Sequence, residues 1–129
     1  MRTGWLGWLA ALLLAAGALS AADISGKWSG FVVIEEEGED EPIRAAVDVE
    51  FRQSGTKLAG SIGRKGDPER VAIQNGSVSG DRISFEAMAE EVDSLMRFTL
   101  RVSGDRILGE IRGKLEDGML VGKVTFTRE

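Results

Sequence analysis

Carboxylates are the side chains through which this chain could do acid–base or cation chemistry. It carries 21 Asp and Glu against 16 Lys and Arg, with no His, Cys or Tyr. His-based triads, thiol nucleophiles and the common zinc sites are therefore excluded. Thirteen acids fall in four short segments, Glu35 to Pro42, Gly63 to Arg70, Ala89 to Ser94 and Lys114 to Gly118, beside only four basic residues. Two facing carboxylates can share acid and base roles. In exposed loops, however, no burial raises a carboxyl pKa into the working range. The run Glu35–Glu41 has charge enough for Ca²⁺ but lacks the fixed ligand spacing of an EF-hand loop. The glycines stand in turns and mid-strand rather than before a helix, so no phosphate-binding loop is present. The expectation is a protein with no catalytic residues, no metal and no cofactor. The acidic segments are then a cation-attracting rim, or a solvated loop set that resists aggregation.

The elements that carry these loops are short strands. Val47, Val49 and Phe51 alternate with Asp48, Glu50 and Arg52; Ile83, Phe85 and Ala87 alternate with Arg82, Ser84 and Glu86. Met96, Phe98, Leu100 and Val102 oppose Arg97, Thr99 and Arg101, and Leu120, Gly122, Val124 and Phe126 oppose Val121, Lys123, Thr125 and Thr127. Further strands are expected at Trp28–Glu35, Lys57–Gly63, Arg70–Gln74 and Arg106–Gly113. No segment after residue 22 has a helical period.

An internal repeat fixes how the strands connect. Val78-Ser79-Gly80-Asp81-Arg82-Ile83 recurs as Val102-Ser103-Gly104-Asp105-Arg106-Ile107, and Gln53-Ser54-Gly55-Thr56-Lys57-Leu58 is a looser copy. Each places Gly first in a two-residue loop, as a type II′ hairpin requires. Such loops pair Val78 with Ile83 and Val102 with Ile107, which keeps the apolar faces on one side of the sheet. Ile73 and Val78 differ in parity, so a bulge or turn is expected at Asn75-Gly76. The pattern is all-β: an antiparallel up-and-down meander of about eight strands, most simply closed into a barrel. The alternative is a two-sheet β-sandwich. In the barrel, three tight turns share one end with both termini. The acidic loops gather at the other end, whose charge sums to −9.

Residues Trp5 to Ala22 are apolar or small, preceded by Arg2, and Ser20-Ala21-Ala22 suits a signal peptidase. Residues 1–22 are read as a signal peptide cleaved before Asp23, the alternative being an uncleaved anchor. Residues 23–129 are then a single domain in a secreted or periplasmic protein, with 15 basic and 21 acidic residues once Arg2 is gone. That balance argues against nucleic acid and against a membrane surface after processing.

Gly26-Lys27-Trp28 opens the first strand, and Arg128 ends the last with the inward parity of Val124 and Phe126. Closing the barrel brings Arg128 to Trp28, where a guanidinium can lie flat on the indole. In type and order these residues resemble the calycin group, the lipocalin-like and avidin-like barrels, whose first strand opens Gly-x-Trp and whose last strand sends a basic residue across that Trp. The resemblance implies a lipocalin-like barrel in which Gly26, Trp28 and Arg128 are structural closure residues. It does not imply biotin, since Trp28 stands alone after processing and Tyr is absent. Ile24-Ser25-Gly26-Lys27-Trp28 also resembles the opening of small periplasmic barrels that inhibit secreted bacterial metalloproteases. Those proteins thread an N-terminal arm into the enzyme, and here only a few residues would precede the strand.

Four strands carry apolar-x-Gly-x-apolar on the inward face, centred on Gly30, Gly60, Gly109 and Gly122. Either these glycines let the strands coil while Phe51, Phe85, Phe98 and Phe126 fill the lumen, or glycines and phenylalanines together line an apolar cavity. The expected function is non-catalytic binding of a small apolar or amphipathic ligand in the barrel. The alternative is a protein-interaction or protease-inhibitor-like module acting on an envelope protein through its loops, or through the outward Phe31 face.

Overall fold

The computed structural model describes residues 23–35, 41–90, 93–116 and 118–129. The expected signal peptide and the acids Glu36, Glu37, Glu39, Asp40, Glu91 and Asp117 lie outside the described residues.

Every regular element of length is a strand. These are β1 (Gly26–Glu35), β2 (Ile43–Ser54), β3 (Lys57–Arg64), β4 (Val71–Ala72), β5 (Gln74–Ser79), β6 (Arg82–Ala89), β7 (Ser94–Ser103), β8 (Arg106–Leu115) and β9 (Gly118–Arg128). All pairs are antiparallel in the order β2-β1-β9-β8-β7-β6-β5-β3, and β2 pairs with β3 to close the ring. β4 and β5 both pair with β3, and the Ile73 N–H bonds the Gly60 carbonyl between them at 3.0 Å, so they fill one position. The result is a closed eight-stranded antiparallel barrel with up-and-down connections.

The three tight hairpins form as their sequences require. Gly55, Gly80 and Gly104 have φ of 62°, 60° and 60°, while the residues after them stay at negative φ. That combination belongs to the type II′ turn. The predicted pairs Val78↔Ile83 and Val102↔Ile107 are in register. The parity slip between Ile73 and Val78 is resolved by a bulge: Gln74 faces Glu86, Ser77 faces Ser84, and Asn75 takes the extra step at φ 51°. Both Ile73 and Val78 are buried as a result.

Two boundaries differ from the sequence reading. β8 runs beyond Gly113 to Leu115, which pairs with Gly118, so the β8–β9 connection is as short as the tight hairpins. Gly113 stays inside the strand because a Cβ there would collide with the Met96 sulfur, which fills the space instead. The strand expected at Arg70–Gln74 is split and extended to Ser79, because the bulge lets pairing with β6 continue.

Candidate functional site

The interior changes character along the barrel axis. At the end holding the tight turns, Trp28, Phe126, Ile24 and Val78 are wholly inaccessible, and Ile83 and Ile107 are buried with them. Trp28 donates its indole N–H to the Ile24 carbonyl at 2.9 Å. The Ile24 N–H in turn donates to Gln53 Oε1 at 2.9 Å, and the Gln53 N–H donates to Ser25 Oγ at 3.0 Å. The segment Asp23–Ser25 is thereby folded across the barrel bottom, with Ile24 as a plug.

Arg128 locks this plug from the other side. Its guanidinium lies 4.4 Å from the Trp28 ring centroid, and it donates to the Ser25 carbonyl at 3.1 Å and the Asp23 carbonyl at 3.2 Å. Asp105 pairs with it at 3.4 Å. Trp28 and Arg128 are also ladder partners. Gly26 takes φ 127°, a conformation that favours glycine, where a Cβ would only touch Arg128 Nη1 at 3.4 Å. The Asp23 carboxylate accepts the Ser25 N–H at 3.1 Å, and bonding to Ser25, more than the nearby Arg128 charge, holds its pKa below the ordinary value.

Mid-barrel, phenylalanines meet. Phe85 and Phe98 are ladder partners stacked at 4.4 Å, and Phe51 meets Phe85 edge-on at 5.7 Å. Since β2 and β6 stand on different walls, the second contact bridges the lumen. The inward glycines sit beside this layer. A Cβ on Gly30 would strike the Thr125 carbonyl, on Gly60 the Glu50 carbonyl, on Gly109 the Thr99 carbonyl, and on Gly122 the Val33 carbonyl. Gly30 faces Phe126 across the ladder, and Gly60 faces Phe51. These glycines thus mark where a neighbouring backbone closes in as the sheet coils.

Beyond the phenylalanines, the lining shrinks. Ala45, Ala87, Ala89, Gly113 and Gly122 occupy inward positions among Val32, Ile111 and Leu120; Ala45 and Ala89 are half-buried and the other three are buried. Met96 leans over Gly113, and the buried Ser94 hydroxyl donates to the Lys114 carbonyl at 2.7 Å. Around this end, Ile43, Met88, Leu95 and Met119 are exposed apolar side chains, and Met119 is 61% accessible. Glu41, Asp67, Glu90 and Glu116 stand exposed on the same rim. Among the described residues, no group of three His, Cys, Asp or Glu is arranged to hold a metal ion.

Sequence reasoning placed the Trp28–Arg128 contact and the phenylalanines. It missed Ile24 as a plug, although Ile24 is the one apolar residue between Asp23 and Trp28. It also missed Met96 over Gly113, for which alternation alone gives no signal.

Fold and interior together define a class: a closed, eight-stranded antiparallel β-barrel, of the kind calycins build, sealed at one end and lined towards the other by alanines and glycines set among larger side chains such as Ile111, Met96 and Leu120. Compared with known proteins, the chain matches no family and no curated relative.

Proposed function

We propose that this protein is a calycin-type, non-catalytic carrier that works outside the cytoplasm. It binds a small apolar or amphipathic molecule in the half of the barrel beyond the phenylalanine layer. The observation that carries the reading is the gradient in side-chain size. Trp28, Phe51, Phe85, Phe98 and Phe126 sit at or below mid-barrel, while Ala45, Ala87, Ala89 and Gly113 sit above it. Apolar walls with one buried hydroxyl suit a ligand that is mostly hydrocarbon. Met96 suits a site that adapts, because an unbranched thioether repacks at low cost. The phenylalanines form the floor, and Gly30, Gly60, Gly109 and Gly122 shape the walls. Exposed acids at the rim favour neutral or cationic ligands over anionic ones.

Native mass spectrometry of residues 23–129 purified from the natural host tests this. The expected result is excess mass that leaves on denaturation. In solution, the neutral probe N-phenyl-1-naphthylamine should bind, and Ala89→Trp should abolish binding with an unchanged melting temperature. A clean apo mass together with no probe binding would overturn the proposal and turn attention to a protein partner of the loops.

A further inference from the structure

The net negative charge conceals a basic outer wall. On the outward face of β6, β7 and β8, Arg82 stands directly across the ladder from Arg101, and Arg97 directly across from Arg112. Like charges in opposed positions destabilise a sheet. Two such pairs lie on one patch, with the Ser84–Thr99 pair in the row between them. Along β7 the outward order is Arg97, Thr99, Arg101, a spacing of about 7 Å per step, and neighbouring strands are about 4.8 Å apart. Four guanidinium groups therefore frame the Ser84–Thr99 pair, with Glu86 across the ladder from Arg97 and Glu110 across from Thr99. Ser77 Oγ extends the hydroxyl row, 3.5 Å from Ser84 Oγ.

The carboxylates nearby hold these arginines only loosely. Arg97 meets Glu86 at 3.8 Å, Arg101 meets Asp81 at 3.4 Å and Arg112 meets Glu110 at 3.3 Å, with arginine side chains 70%, 62% and 62% accessible. Exposed pairs of this kind contribute little and release their arginine easily. Arg82 makes no ion pair among the described residues.

We propose that this wall binds an acidic glycan, a polysaccharide bearing sulfate or phosphate groups. Guanidinium forks take oxyanions in bidentate fashion, and a row of arginines at regular spacing fits charges repeated along a polymer. The serine and threonine hydroxyls between them suit sugar hydroxyls. No aromatic side chain stands outward on the described residues of β6, β7 or β8. The patch thus lacks both the stacking platform of a single-stranded nucleic acid site and the aromatic anchors of a membrane interface. The glycan offsets the like-charge repulsion that the fold leaves on this face, and the wall is independent of the barrel interior.

The test uses residues 23–129 and a heparin hexasaccharide as probe, followed by calorimetry at increasing salt. Binding should weaken with salt. The double variant Arg97→Gln/Arg101→Gln should lose about tenfold or more in affinity and lower the salt slope by about two. Its melting temperature should hold or rise as repulsion is relieved. Lys27→Gln/Arg52→Gln, an equal charge change on exposed residues of β1 and β2, should leave binding intact. No binding at low salt, or equal losses in both double variants, would overturn the proposal. So would binding to phosphatidylglycerol vesicles with none to heparin, which would make the wall a membrane contact.

Discussion

The two ends of this barrel are built on opposite terms. At the sealed end, Trp28, Ile24 and Phe126 are wholly buried, and the backbone N–H and C=O groups of Ile24 and Ser25 are held by Gln53, Trp28, Asp23 and Arg128. At the other end, small side chains line the interior, Met96 fills a gap left by Gly113, and Ile43, Leu95 and Met119 remain exposed. One end spends its residues on a unique packed arrangement. The other keeps apolar side chains in contact with solvent. A fully packed base and an apolar, solvent-facing rim are thereby separated along the axis.

The sharpest way to break the comparison is truncation at each end. Trp28→Ala should cost about 3–5 kcal/mol, since an inaccessible indole, its hydrogen bond to Ile24 and the Arg128 stack are lost together. Ile43→Ala, at a rim residue 51% accessible, should cost less than about 0.5 kcal/mol. Urea unfolding of both variants checks this. Similar costs would mean that the rim is as tightly built as the base.

Glycines sharpen the contrast next. Gly30→Ala drives a Cβ into the Thr125 carbonyl, and backbone cannot turn aside as a side chain can. It should cost about 2–3 kcal/mol and loosen the β1–β9 seam. Gly55→Ala meets nothing within 4 Å but forces alanine to φ 62°, which should cost about 1–2 kcal/mol. Amide hydrogen exchange separates the two: Gly30→Ala should expose β1 and β9 amides, and Gly55→Ala should leave them protected.

Those glycines also mark the limit of what the sequence discloses. Alternation at Val47–Phe51 and Met96–Val102 fixed which side chains point inward, because period 2 is a local property. The turns at Gly80 and Gly104 were legible because a hairpin's register follows from its own loop. Whether Gly30 opens a void or admits a neighbouring backbone depends on how sharply the sheet coils, and coiling is set by all the strands together. The arginine wall was hidden for a similar reason. Arg82 and Arg101 are far apart in sequence and meet only through the β6–β7 register. Even the β8–β9 hairpin was misjudged, since Gly113 reads as a strand end until Met96 is seen to fill its place.

The smallest expected effect concerns the plug's first residue and appears only with pH. The Asp23 carboxylate is held below its ordinary pKa of 3.8, first by bonding to Ser25 and then by Arg128. A carboxyl depressed in the folded state stabilises it above the unfolded pKa and loses that contribution as pH falls through the folded value. Asp23→Asn keeps an oxygen to accept the Ser25 N–H but removes the charge facing Arg128. At pH 7 the variant should melt slightly below the parent. The gap should narrow as pH drops below 3.8 and vanish once Asp23 is protonated in the folded parent. The other carboxylates are common to both proteins, so the difference between the two melting curves reads the change at Asp23. A gap that stays constant down to pH 2 would show that the Asp23 charge plays no part in the seal, leaving Ile24 and Trp28 to hold the base by packing alone.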